Sequence, residues 1–299
     1  MNTKERIGFI GLGDIGEPMA TRVADAGYAM RVYNRTASKA APFAARGIDV
    51  AASPADVARG SDIIFLCITN ADAIEQLVFG PEGIAAGARP GQLLVDLSTI
   101  HPYATRALAG RLKDQTGVRW VDAPVSGGPS GARAGTLAVM AGGEAADVER
   151  AKPVLRSFAG KVTHMGTLGC GVAMKACNQM LSFCTASVLA ETLNLANNFG
   201  IDPNLVQEAV AGGFADSNVV KFLAKPLIDG TYSGDGVMGL KDLGITLELG
   251  RQTGSAMPMT SLMASMWQLV VAQGFTGGGL GTTMRLYSQG PLVARKEKS

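Results

Sequence analysis

The chain has 299 residues, 47% of them apolar, enough for two domains that each bury a core. Its 27 basic and 25 acidic residues leave a net charge of +2 and are scattered in sequence, so no basic stripe points to nucleic acid or an anionic membrane, and a small-molecule partner is expected. No apolar run approaches the roughly 20 residues that span a bilayer, and the N-terminal MNTKERIGFIGLG passes straight into glycines instead of a cleavage site, which predicts a cytoplasmic protein.

From residue 6 to 166, short apolar runs alternate with helix-like segments. RIGFIG, AMRVYN, DIIFLCI, QLLVDLS, VRWVDA, TLAVMAG and KVTHMG read as strands. Their continuous hydrophobicity predicts a mostly parallel sheet covered on both faces, with PMATRVADAG and PYATRALAGRLKDQTG among the covering helices. Beyond residue 166 the strand signals stop. Long apolar periodic segments follow, broken at 200–203, 212–213, 230–236 and 257–258, so residues 167–299 are expected to be all-α. The first of these segments, 168–198, has no proline and has glycine only at its start, which predicts one long helix joining the two domains. Its apolar length predicts association with a second copy. Only the tail, ARKEKS, reads as disordered.

The first strand runs into IGFIGLGDIGEPMA, which sets Gly11, Gly13 and Gly16 in a G-x-G-x-x-G pattern at a strand-to-helix turn, with Leu12, Asp14 and Ile15 between them. Such a loop binds a dinucleotide: the first glycine makes the turn, the second admits the pyrophosphate, and the third lets helix and strand pack closely. At the end of the next strand NAD-binding chains carry a carboxylate for the ribose hydroxyls. Here Asn34, Arg35 and Thr36 stand instead, and a guanidinium beside a hydroxyl suits a 2′-phosphate, so NADP is expected, with NAD possible. Leu66, Cys67 and Thr99 follow later strands, at the ends where cofactor crevices form.

Lys175, in GCGVAMKACNQ, is the only Lys, Arg, Asp or Glu between Lys161 and Glu191. A charge withdrawn from water is costly, so a lysine alone in an apolar stretch either meets something that repays its burial or lays its stem on apolar surface with its head in water. Asn178 shares its helical face. Of the four cysteines, Cys170, Cys177 and Cys184 recur every seven residues. Two helical turns are about 10.5 Å, too far for neighbouring sulfurs to bridge or share a metal, so the row is expected to pack as small apolar residues. No His/Cys/Glu cluster has metal-ligand spacing, and with only His101 and His164 present a histidine-based hydride site is not indicated. His101 is expected at the rim of the crevice.

Four motifs in order, GFIGLGDIGEPMA, DAPVSGGPSGARAGTL, GCGVAMKACNQ and KDL, make the chain resemble the β-hydroxyacid dehydrogenases nearly end to end. The resemblance implies a Rossmann-like NAD(P)-binding domain at 1–166, a helical domain at 167–299 begun by a long interdomain helix, and an active site between them. It also implies Lys175 and Asn178 as catalytic residues, Ser126, Gly127 and Gly128 as the cradle of a substrate carboxylate, and Lys241 as a cofactor-side lysine. The expected activity interconverts a small 3-hydroxy acid and its semialdehyde or keto form, with a homodimer or homotetramer as the assembly. TYSGDGVMGLKDL, leading through Lys241, is shorter than the family's usual segment and lacks its usual phenylalanine, which keeps a 3-hydroxy amino acid such as D-threonine open as substrate. An inactive NADP-binding sensor is the alternative of another class.

Overall fold

The computed structural model describes residues 5–288 and 290–292; the ARKEKS tail lies outside the described residues. The chain divides into two compact units, Met1–Lys175 and Ala176–Ser299.

One sheet organises the first unit. Its strands are β1 (Ile7–Ile10), β2 (Met30–Tyr33), β3 (Asp49–Val50), β4 (Ile63–Leu66), β5 (Leu93–Asp96), β6 (Arg119–Asp122), β7 (Val125–Ser126), β8 (Leu137–Gly142) and β9 (Ala159–Gly166). Their spatial order is β3-β2-β1-β4-β5-β6-β8-β7, with β9 beside β8. Strands β1 to β6 run parallel, while β8 is antiparallel to β6 and β7 and parallel to β9. All seven expected strands form, in the mostly parallel arrangement their composition predicts. The two that the sequence did not announce, β3 and β7, are two residues long.

The central parallel strands β1 and β4 carry no polar side chain and are buried at every position because both faces of the sheet are covered. Ile7, Phe9, Ile63 and Phe65 enter one core, together with Met19 and Phe158, whereas Ile10, Ile64 and Leu66 enter the other with Leu94 and Trp120. Alternation along each strand divides the side chains between the two cores. At roughly 1.5–3 kcal/mol for each large apolar side chain fully buried, these cores dominate the unit's stabilisation. The covering helices are α1 (Gly16–Asp25), α2 (Ala41–Ala44), α3 (Pro54–Gly60), α4 (Ala71–Phe79), α5 (Ile84–Gly87), α6 (Pro102–Thr116), α7 (Gly128–Ala134) and α8 (Ala145–Leu155).

Helix α9 (Cys170–Phe199) begins in the first unit and continues into the second. The second unit adds α10 (Asn204–Val210), α11 (Asn218–Asp229), α12 (Gly236–Thr253), α13 (Pro258–Ala272) and a 3₁₀ helix (Gly279–Leu286). The expected breaks fall between these helices. Ser217 caps α11 by accepting from Val220 N, and Asp235 caps α12 by accepting from Val237 N and Met238 N. Leu189, Leu193, Leu223, Leu227 and Met284 form one apolar cluster, and Phe183, Leu243, Met263 and Trp267 form another, in which the Phe183 and Trp267 rings meet edge to face at 4.9 Å. No helix among the described residues is long and apolar enough to cross a membrane.

The cysteine row departs from expectation. Cys177 is exposed and Cys170 and Cys184 are half-buried, so the row does not form a tightly packed face within this chain. All four thiols are free.

Candidate functional site

Strand order reverses at β1: its two neighbours are β2 and β4, so the connections leaving the two strands diverge at their carboxyl ends. Open α/β sheets form ligand crevices at this switch point. Hydrogen bonds define its walls. Cys67 N donates to Ile10 O at 2.9 Å, Ile68 N donates to Ser98 Oγ at 2.9 Å, and Leu12 N donates to Asn34 Oδ1 at 2.9 Å. Asn34 Nδ2 in turn donates to Thr36 O at 3.0 Å. The structure thus brings the glycine loop, Asn34, Leu66, Cys67 and Thr99 to one edge of the sheet, with Arg35 and Thr36 exposed on it. Asn34 does more than leave out a carboxylate, since both ends of its amide tie the loop to the turn after β2.

The three loop glycines answer to different demands. A Cβ on Gly11, whose φ is +100°, would overlap the Cys67 carbonyl, and one on Gly16 would overlap the Gly11 carbonyl. A Cβ on Gly13 would meet nothing within 4 Å. Folding therefore requires the first and third, and only something approaching from outside gains from a bare Gly13. Helix α1 starts beside it with no side-chain cap from Ile15, leaving N-terminal amides for an anion. Leu12 is buried in the core, Ile15 packs against it, and Asp14 is exposed at the crest of the loop. These features fit the pyrophosphate of a dinucleotide.

Two aspartates that sequence reasoning passed over lie beneath the crevice. Asp96 and Asp122 end β5 and β6, are direct register partners, and are fully buried. Burial pushes the Asp96 carboxyl up to about 6, against a hydrogen bond from Ser98 N at 2.9 Å. It pushes Asp122 up to about 7 despite amide hydrogen bonds from Gly169 and Val172, with Asp96 adding to the rise. Burial, and then Asp96, also raises the Cys67 thiol to about 12, so this cysteine is an inert wall residue. His101 caps α6: its Nδ1 accepts from Tyr103 N at 3.3 Å.

The DAPVSGG segment turns from β6 through β7 into α7. Ser126 is half-buried, and Gly127 and Gly128 have φ of +131° and +63°, backbone that only glycine adopts without strain. A Cβ on Gly128 would meet nothing within 4 Å. Successive amides in such a turn make a concave donor surface of the kind that takes a carboxylate. Lys175, in the second turn of α9, is 7% exposed. Asn178 lies one turn further on, and within the helical unit it begins a polar chain. Asn178 Nδ2 donates to Gln179 Oε1 at 3.0 Å, Gln179 Nε2 donates to Asp242 Oδ2 at 2.6 Å, and Lys241 Nζ lies 3.2 Å from Asp242 Oδ1. The structure so connects Asn178 with Lys241 through Gln179 and Asp242, which belong to the GCGVAMKACNQ and KDL motifs but were assigned no role from the sequence.

Comparison with known proteins agrees with this geometry. Residues 6–166 match the family model described as the NAD-binding domain of 6-phosphogluconate dehydrogenase, and residues 169–287 match the one described as NAD-binding of NADP-dependent 3-hydroxyisobutyrate dehydrogenase. The chain is 32% identical to 2-(hydroxymethyl)glutarate dehydrogenase of Eubacterium barkeri, over 97% of each chain. It is 31% identical to the NAD-dependent L-serine dehydrogenase of Pseudomonas aeruginosa, over 95% of this chain and 98% of that one. Among solved structures it is similar to the 3-hydroxyisobutyrate dehydrogenase of Mycobacterium tuberculosis solved with L-serine, with a TM-score of 0.85 and 28% identity over 95% of this chain and 99% of that one.

Proposed function

The chain belongs to the β-hydroxyacid dehydrogenase family and is an NAD(P)-dependent oxidoreductase acting on CH–OH groups; we propose that it interconverts a small 3-hydroxy acid and its semialdehyde or keto form, prefers NADP, and uses Lys175 as its proton-transfer group. The observation that carries the reading is the burial of Lys175, the one basic side chain withdrawn from water in this stretch of α9. When bound, the nicotinamide supplies or accepts hydride at its C4. Lys175 takes the hydroxyl proton as the substrate carbon becomes a carbonyl and returns it in the reverse direction. The turn of Ser126, Gly127 and Gly128 holds the substrate carboxylate, and Asn178 orients the reacting oxygen. Lys241, neutralised in part by Asp242, serves the cofactor.

Gly11, Gly13, Gly16 and the α1 N-terminus would hold the pyrophosphate. Arg35 and Thr36, exposed beyond β2, would meet the 2′-phosphate of NADP, which Asn34 does not repel. A functional division at residue 166, where the sheet ends, accompanies these roles.

A second reading, oxidation of a 3-hydroxy amino acid, is favoured by the L-serine dehydrogenase of P. aeruginosa and by the L-serine in the M. tuberculosis structure. Turnover of a panel of 3-hydroxy acids and 3-hydroxy amino acids with NADP and NAD, followed by nicotinamide absorbance, separates the two. Fast turnover of the acids with NADP is the expected result. Turnover confined to the amino acids establishes the second reading, and silence with both cofactors would leave an inactive binder.

The assembly we favour is a homodimer or homotetramer, in the cytoplasm, where four free thiols are at home. On α9, Leu181, Val188 and Leu195 recur every seven residues and are 69%, 52% and 69% exposed. An apolar stripe repeated at that period matches a second helix of the same kind.

A further inference from the structure

Helix α9 could have been capped locally by a serine or aspartate just before its first turn. Instead Gly169 stands there, and the cap comes from a distant strand. Gly169 N donates to Asp122 Oδ1 and Val172 N to Asp122 Oδ2, both at 2.7 Å, so one buried carboxylate takes two amides at the start of the helix, one on each oxygen. The contact is tight by construction. A Cβ on Gly171 would overlap the Met140 carbonyl of β8 and sit 2.7 Å from Asp122 Oδ2, so Gly171 admits the helix end to the sheet, while one on Gly169 would press on Arg106 of α6. Arg106 of α6 adds a third tie, donating from Nε to Leu168 O at 2.8 Å.

Asp122 ends β6, four residues before Ser126, and Val172 lies three residues before Lys175. We infer that Asp122 is a positioning residue for the reaction: it locks the first turns of α9 to the strand that leads into the substrate turn, and thereby fixes where the Lys175 amine stands. A local cap would stabilise the helix equally well but would leave it free to shift against β6. Burying a carboxylate is the more expensive solution, and what it adds is registration between two segments far apart in sequence. Displacement of a reacting group by about 1 Å can cost on the order of 100-fold in rate.

The inference rests on Lys175 as the proton-transfer group, and the test separates the two. Asp122→Asn keeps the shape and one acceptor oxygen but turns an N–H donor toward an amide donor. In this variant kcat is expected to fall about 10- to 100-fold at saturating substrate and cofactor, with cofactor affinity within about twofold of wild type because the glycine loop is untouched. Amide hydrogen exchange at Gly169 and Val172 should accelerate while the core of β1 and β4 stays protected. In a Lys175→Ala background the same substitution should cost less than about threefold, because a residue that acts through Lys175 has nothing left to act on.

Wild-type kcat in the folded Asn variant, or full additivity in the double mutant, would overturn the inference while leaving Lys175 in its role. An innocuous Lys175→Ala would instead sink the functional reading, whereas exchange at Gly169 and Val172 would still report whether Asp122 is the cap. Should Asp122→Asn fail to fold, Gly171→Ala displaces the same helix end with Asp122 intact, and wild-type kcat there would equally refute the inference.

Discussion

The two ends of helix α9 follow opposite rules. In its first turns the backbone is pressed against the sheet, Asp122 takes two of its amides, and Lys175 is buried. Further along the helix, about two to six turns beyond Lys175, Leu181, Val188 and Leu195 project with half or more of their surface exposed. One end hides a charge and the other displays apolar side chains, the reverse of what an isolated amphipathic helix does. The proposed reading gives each inversion a use: Lys175 exchanges a proton with the substrate, and the stripe meets a second copy of the chain.

The contrast can be broken first at the lysine. Lys175→Ala is expected to lower kcat by about 10²- to 10⁴-fold, the usual worth of a general acid–base, with cofactor affinity little changed. Stopped-flow turnover and a cofactor titration check both halves. At the other end, Leu181→Glu combined with Leu195→Glu should weaken self-association by about 100-fold or more, since like charges brought face to face cost several kcal/mol. Sedimentation at micromolar concentration would show the oligomer giving way to a single chain; an unchanged profile would remove the stripe from the interface.

Two smaller effects sharpen the comparison from the sheet side. Arg35→Ala should shift the ratio of kcat/KM for NADP over NAD by roughly tenfold or more toward NAD, the worth of a charge-assisted hydrogen bond. An unchanged ratio would dismiss Arg35 as a selector. The least effect concerns Asp96 and pH. Burial raises its carboxyl from 3.8 to about 6, so between those values the folded chain keeps a proton that the unfolded chain has lost. Its contribution to stability is therefore fully present below pH 3.8 and falls as pH rises through about 6. Asp96→Asn, which retains an acceptor for Ser98 N, should gain in melting temperature relative to wild type as pH rises across that window. A difference independent of pH would show that Asp96 does not titrate there.

What could be read from the sequence depended on whether the cause was local. The strands of the parallel sheet were legible because burial on both faces leaves unbroken apolar runs, and the helix boundaries of the second unit because Gly and Pro mark them. The glycine loop was legible because its three demands fall within six residues. Strands β3 and β7 are too short to show a period. Asp122 drew no role from the runs that contain it, VRWVDA and DAPVSGG, because the amides it receives lie 47 and 50 residues away. Gln179 meets Asp242 across 63 residues, a pairing that no spacing rule announces. Asn34 was legible as the absence of a carboxylate, but its hold on Leu12 N and Thr36 O required the folded turn.

The central claim is that Lys175 transfers a proton and does not merely supply charge. Its most direct test is kcat for Lys175→Arg at saturating substrate and cofactor, followed from about pH 6 to pH 10. Arginine keeps the charge but, with a pKa above about 12, cannot readily exchange a proton. The account predicts a variant slower than wild type by about 100-fold or more throughout that range. A kcat near wild type across it would contradict the claim and reduce Lys175 to an electrostatic anchor.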